Sequence, residues 1–215
     1  MKATLTAFLS LGLVALLAGP VSAQGPGRGF FGRGNPAILL GNTSVQKELK
    51  LDDKQVEKGK ELAEKTGEKM RENFQTVREL EGEERQTKMQ ELNRELNASI
   101  HKEIHEFLKP EQITRLHQIA HQQQGANAFT NPEVAKKLNL SETQKKEIQT
   151  IVQDSRQEMR TIFQENQGDQ EAIMKKMTEL HKETLAKVMG KLNDEQHKSW
   201  KEMLGAPFEV KYEEN

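Results

Sequence analysis

A leucine followed four residues later by a glutamine occurs four times in this chain and nowhere else: Leu51 with Gln55, Leu108 with Gln112, Leu140 with Gln144, and Leu192 with Gln196. The first and third copies lie 89 residues apart. That offset also pairs Asn42 with Asn131, Val45 with Val134, Lys47 with Lys136, Leu49 with Leu138, Met70 with Met159, Arg71 with Arg160 and Phe74 with Phe163. The second and fourth copies lie 84 apart, which aligns Glu95 with Glu179, Leu96 with Leu180 and Glu111 with Glu195. A spacing kept over such a length marks a tandem duplication. The drop from 89 to 84 places a small length change near Gly82 and Gly168.

Each copy reads as the start of a helix. In Leu140-Ser-Glu-Thr-Gln144 the Ser141 hydroxyl is placed to cap the first turn, and Gln144 can reach back to the cap's own N–H. Leu140 precedes the cap as a hydrophobic staple. Asp52 with Gln55 and Asn193 with Gln196 repeat the arrangement, while Lys109-Pro110 lacks a capping side chain but puts proline where a first turn accepts it. Read locally, the motifs are helix starters, which leaves their ordered two-by-two recurrence to be explained.

On these motifs the chain resembles the Spy/CpxP superfamily of small helical periplasmic proteins, whose signature is a pair of Leu-Thr-x-x-Gln motifs separated by a long helical hairpin. Leu51 to Gln55 with Leu108 to Gln112 matches one pair, and Leu140 to Gln144 with Leu192 to Gln196 a second. None carries the threonine, and the doubled unit departs from the usual single copy. The resemblance spans residues 45 to 204 and implies an all-α fold of two tandem elongated helical-hairpin repeats, each with a short third helix. Relatives of this type bind unfolding proteins on a concave cradle made by two subunits. The implied function is an exported, ATP-independent chaperone-like or envelope-stress protein that binds unfolded or partner proteins. It would act as a homodimer or as an intrachain pseudo-dimer whose repeats form one cradle. Alternatives are a periplasmic metal sensor or buffer, since some members are metal sensors or zinc-associated, and a structural adaptor for a membrane sensor.

The amino terminus agrees with export. Lys2 precedes an apolar stretch from Leu5 to Ala18, too short to span a bilayer comfortably, and Val21-Ser22-Ala23 is a small-x-small cleavage site before Gln24. Residues 1–23 therefore read as a signal peptide, and the mature protein as periplasmic or otherwise secreted, with no membrane span after cleavage. Cysteine is absent, so neither a lipid-modified cysteine nor a disulfide is available. Loss of Lys2 leaves 31 basic residues against 33 acidic ones, a net charge of −2. Such balance, with few aromatics, argues against nucleic-acid binding.

Residues 24–41 carry six glycines and are expected to form a flexible leader. Gly27-Arg-Gly29-Phe-Phe-Gly32 satisfies the dinucleotide fingerprint in form but lacks the flanking strand and helix that its chemistry needs. Phe30 and Phe31 are candidates to dock into the protein's own groove or a partner's. The first helical repeat is expected over residues 42–124, a hinge over 125–132, the second repeat over 133–206, and a tail over 207–215. The first long helix is expected from about Asp53 to near Leu80, with Val56, Ala63, Thr66, Met70, Phe74, Val77 and Leu80 as its apolar stripe. The second carries Met89, Leu92, Leu96, Ile100, Ile104 and Phe107, and the short third Ile113, Leu116 and Ile119. Their counterparts are Ile148, Ile151, Val152, Met159, Ile162 and Phe163, then Ile173, Met177, Leu180 and Val188, then Trp200 and Leu204.

Two patterns carry chemistry. Seven of eight methionines fall in helices, where flexible thioethers fill cores or suit surfaces that accept varied partners. His101 with His105 and His117 with His121 form two i, i+4 pairs flanking Pro110, a spacing able to hold Zn, Ni or Co through imidazole nitrogens. Their counterparts Leu185, Met189, Lys201 and Gly205 cannot. No zincin motif, Glu-x-x-His pair, cysteine nucleophile or serine elbow is present, so no catalytic residue is assigned and the chain reads as a non-enzyme.

Overall fold

The computed structural model describes residue 32 and residues 34–212; the segment expected as a signal peptide, residues 24–31 and 33 of the expected leader, with Phe30 and Phe31, and the last three residues lie outside them. The described residues form an all-helical protein with no strand. In chain order come α1 (Pro36–Leu40), α2 (Thr43–Glu48), α3 (Asp53–Thr76), α4 (Gly82–Phe107) and α5 (Pro110–Gln124). A 3₁₀ helix (Gly125–Thr130) then leads into α6 (Pro132–Lys137), α7 (Glu142–Glu165), α8 (Gln170–Met189) and α9 (Asp194–Leu204). The starts of α2, α3 and α5 recur at α6, α7 and α9 at the 89- and 84-residue offsets seen in the sequence. No helix among the described residues is long and apolar enough to cross a membrane.

The stretches expected as flexible leader and hinge are one element used twice. Residues 36–40 form α1, and 89 residues on the 3₁₀ helix occupies the supposed hinge. Ala37, Leu39 and Leu40 are buried in the first half, and Ala126, Ala128 and Phe129 at the same offset in the second. Both are apolar plugs set into the base of the adjacent hairpin. Short stretches among glycines, asparagines and prolines carry no periodic signal of their own, and tertiary burial decides their state. Burial of Leu39 and Leu40 contributes about 1.5–3 kcal/mol each. Gly59 makes this approach possible, since a Cβ there would stand 3.2 Å from Leu40 Cβ.

After each plug a short helix turns the chain toward the hairpin. Asn42 Oδ1 accepts from the N–H groups of Ser44 and Val45 to start α2, and Asn131 Oδ1 accepts from Glu133 N–H to start α6. Both helices stop at a left-handed residue, Lys50 at φ 50° and Asn139 at φ 49°. The next N–H closes back on the helix, Leu51 N–H onto Gln46 O at 3.1 Å and Leu140 N–H onto Ala135 O at 3.0 Å.

The expected stripe of α4 holds: Ile100 and Ile104 are buried, with Met89, Leu92, Leu96 and Phe107 half-buried beside them. That of α3 is rotated. Its buried positions are Gln55, Gly59, Leu62, Thr66 and Asn73, and Val77 is buried just past its end, while Phe74 is 57% exposed. Periodicity followed side-chain polarity, but small and amide side chains occupy the inward face here. The helix also ends at Thr76, short of Leu80.

The segment expected as a tail is packed structure through residue 212. Gly205, at φ 61°, turns the chain away from α9 with Gln118 packed against it. Phe208 N–H donates to Gln122 Oε1, Asn42 Nδ2 donates to Lys211 O at 2.8 Å, and Lys211 N–H donates to Ser44 Oγ at 3.0 Å. Val210 thereby joins the core of the first half, with Phe208 and Tyr212 packed on it.

Two outcomes follow. Gly59→Val forces Leu40 off α3 and is expected to lower stability by about 1–3 kcal/mol, read from urea unfolding. Lys50→Gly relieves a left-handed residue and is expected to raise stability by about 0.5–1 kcal/mol in the same measurement.

Candidate functional site

The four motif glutamines meet in two pairs. Gln55 Nε2 donates to Gln112 Oε1 at 2.9 Å, and Gln112 Nε2 donates back to Gln55 Oε1 at 3.1 Å. Each amide also serves its own helix start: Gln55 Oε1 accepts Asp52 N–H at 3.1 Å and Gln112 Oε1 accepts Lys109 N–H at 2.9 Å. The remaining N–H bonds go to main chain, from Gln55 to Phe107 O at 2.8 Å and from Gln112 to Leu49 O at 3.1 Å. Both donors and both acceptor sites of each amide are thus used. One bonded square ties the end of α2, the start of α3, the end of α4 and the start of α5.

The second half repeats it. Gln144 and Gln196 exchange bonds of 2.8 and 3.1 Å, their oxygens accept Ser141 and Asn193 N–H, and their amines reach Lys191 O at 2.7 Å and Asn139 O at 3.4 Å. Asp52, Ser141 and Asn193 cap their helices as expected, and Lys109 contributes no side-chain cap. Leu108, Leu140 and Leu192 are buried and Leu51 half-buried behind them. The motif is therefore more than a helix starter. The sequence showed which residues recur, but not that the glutamines face one another across a hairpin.

The two halves join along α5 and α9, themselves equivalent elements. Gln122 Nε2 donates to Leu204 O at 2.6 Å and Ala206 O at 2.9 Å, and Arg115 donates to Ala206 O at 2.8 Å. His121 belongs to this seam, its Nδ1 3.3 Å from Met203 O and its ring 5.9 Å from Trp200, which stacks at 4.3 Å on Phe129. Burial pushes the His117 imidazole down to about 4, helped by the neighbouring His121 and Lys137. Burial also lowers His121. His101 and His105 are exposed, with ring centroids 4.3 Å apart, and His117 and His121 lie 6.5 Å apart. Among the described residues no group of three or more His, Cys, Asp or Glu side chains is arranged to hold a metal ion. The exposed pair alone offers two nitrogens on one helix face.

The arms beyond the squares differ. In the second half Ile162, Ile173, Met177 and Leu180 form a closed apolar cluster between α7 and α8, with Met159 and Phe163 against it. In the first half Asn73 stands where Ile162 does, and α3 and α4 leave a groove with Leu92, Leu96 and Ile100 on its floor. Lys65 and Glu103 bridge its rim at 3.0 Å, and the lysine's hydrogen bond holds the Glu103 carboxyl below its ordinary range. Met70 and Met89 are half-buried and Phe74 is exposed on the same arm, outside the residues that line this groove. Sequence alone gave both arms the same apolar stripe; the Asn-for-Ile exchange was the available signal that they differ.

Gln55→Glu turns a donor toward the Phe107 carbonyl and Gln112 oxygen into a second acceptor. Its expected effect is a loss of about 2–4 kcal/mol in thermal unfolding. Gln144→Glu, at a half-buried position, is expected to lose less. The pH dependence has a definite sign. An unfolded histidine binds its proton near pH 6.5 and folded His117 only near pH 4, so stability falls as pH drops through that window. His117→Gln is expected to flatten this part of the stability profile, measured by urea midpoints between pH 7 and pH 4.

Comparison with known proteins adds no relative: no family model, no curated protein and no solved structure matches the chain.

Proposed function

We propose that the protein is an exported, ATP-independent chaperone-like protein of the Spy/CpxP type, holding unfolding proteins on the faces of two helical hairpin arms carried by one chain. The observation that carries this is the joining of the halves through equivalent helices, α5 on α9, which gives one polypeptide the paired arms that relatives of this type make from two subunits. The first arm supplies apolar surface of suitable chemistry, an open groove floored by Leu92, Leu96 and Ile100 and, outside it, Phe74 57% exposed with Met70 and Met89 half-buried. Aromatic and thioether groups bind varied apolar segments without demanding one shape. An all-helical chain with charged arms and no assigned catalytic group fits binding rather than turnover.

A second reading rests on the exposed His101 and His105, whose rings lie 4.3 Å apart and could hold a Zn, Ni or Co ion with water completing its shell. Calorimetric titration of the unaltered protein with Zn²⁺ tests it, and heat that persists in the double variant His101→Ala/His105→Ala would exclude this pair.

The leading proposal is tested by light scattering from an unrelated unfolding protein mixed with residues 24–215 in the absence of nucleotide. Suppression near a one-to-one ratio is expected, weakened several-fold by Phe74→Ser, in line with loss of an anchoring aromatic. Undiminished aggregation at excess protein would overturn the chaperone reading.

A further inference from the structure

The two arms differ in what their facing helices leave unpaired. In the second arm Thr184 Oγ1 is hydrogen-bonded to Ser155 Oγ at 2.9 Å across α7 and α8, and Ile162 lies in the closed apolar cluster. The positions equivalent to Ser155 and Ile162 in the first arm are Thr66 and Asn73, and Ile100 stands where Thr184 does. Thr66 is 2% exposed and Asn73 5%, both line the groove between α3 and α4, and among the described residues neither side chain makes a hydrogen bond. Polar side chains held this deep beside leucine and isoleucine are normally paired. Here a hydroxyl and an amide keep their donors and acceptors for a groove of about 440 Å³, the size of a ligand site rather than of a water pocket.

We propose that this groove binds an extended apolar peptide segment carrying basic residues, with Thr66 and Asn73 hydrogen-bonding its main chain and Leu92, Leu96 and Ile100 receiving its apolar side chains. The proposal rests on the chaperone reading and names the form in which a client segment is held. The groove is a slot: α3 lines it from Leu62 to Asn73, about 16 Å of helix, which takes about five residues of extended chain at about 3.3 Å each. Thr66 and Asn73 stand two helical turns apart, about 10 Å, so one extended strand reaches both. An amide offers a donor and an acceptor together, as main chain does, and so recognises a strand without reading its sequence. The charge on the lining selects among apolar ligands. Lys65 is engaged by Glu103 at 3.0 Å and Lys69 by Glu72 at 2.9 Å, so the uncompensated charge is that of Glu68 and Glu95. That charge repels anionic amphiphiles and attracts lysine and arginine.

The probe is a short fluorescein-labelled peptide of alternating leucine and serine with a lysine at each end, titrated with residues 24–215 and followed by fluorescence anisotropy. Saturable binding is expected. Asn73→Ile, which supplies the residue that the second arm carries at this place, is expected to weaken it about tenfold or more, and Asn73→Ala, which leaves the groove open, about fivefold. Helical circular dichroism confirms that both variants fold. Methylating the peptide's main-chain nitrogens, a change that needs no variant, is expected to weaken binding to the unaltered protein about fivefold and to make no difference with Asn73→Ala. No saturable binding, an affinity unchanged by Asn73→Ile, or indifference to methylation would overturn the proposal. A dimer of the protein alone that Asn73→Ile disperses would also overturn it and assign the groove to a second copy of the chain. The two readings fail separately: absent peptide binding with aggregation still suppressed overturns the groove alone, while peptide binding that depends on Asn73 with aggregation unsuppressed upholds the groove and overturns the chaperone reading alone.

Discussion

Everything at the base of each hairpin hangs on a pair of glutamines that satisfy each other. A primary amide carries two donors and two acceptor sites, and each of the Gln55 and Gln112 amides gives one donor and one acceptor site to the partner, the other donor to main chain and the other acceptor site to its own helix cap. No other side chain at these positions can do all three. Glutamate has no donor, asparagine is one methylene short of the cap, and an apolar residue would strand main-chain groups that water cannot reach. The leucine four residues earlier has a simpler part, closing the apolar side of the same corner. A motif that looks like two independent helix starters is one four-way junction, which explains why its copies come in pairs.

Because the junction fixes where four segments meet, it constrains little beyond itself. The bases of the two halves agree closely, with Phe107 and Lys191 O as equivalent acceptors at one corner, while at the other Gln112 reaches Leu49 O at 3.1 Å and Lys50 O at 3.5 Å and Gln196 reaches Asn139 O, Lys50 and Asn139 both being left-handed. Away from the base the arms diverge: one is filled by Ile162, Ile173, Met177 and Leu180, and the other keeps Asn73 inside and Phe74 outside. The bases thus keep one geometry while the arm surfaces differ in chemistry.

The sequence revealed the duplication, the long helices, three of the four caps and the apolar stripes on which α4, α5, α7 and α8 pack, because these depend on local chemistry and strong periodicity. It concealed what depends on contacts distant in the chain. Plugs such as Ala37-Ile-Leu-Leu40 and Ala128-Phe129 are too short for any periodicity to register, and they are helical because the hairpin base buries them. The tail seemed featureless because Val210 has meaning only against the core of the other half. Histidine spacing pointed to metal, yet His121 proves to be seam material, turned to Met203 O and Trp200. On α3 the inward face includes Gln55, Gly59 and Asn73 beside Leu62 and the expected Thr66, and the first three are residues that hydropathy counts as outward.

The seam between the halves has a character that neither half has alone. Its bonds run from glutamine, arginine and histidine side chains on α5 to bare carbonyls at the end of α9 and the turn beyond it, the groups a helix leaves unsatisfied. The last carbonyls of α9 thus find donors on a neighbouring helix, and Gly205, whose own N–H closes back on Lys201 O and Glu202 O, sends the chain across the junction to complete the first core with Val210. The two halves are thereby interlocked in both directions: α5 satisfies the end of α9, and the segment after α9 fills the half that contains α5. Expression of the first half alone would leave its core without Val210, and expression of the second alone would leave the end of α9 without its α5 donors, so the duplication has become one folding unit whose paired arms cannot drift apart as two associating subunits can.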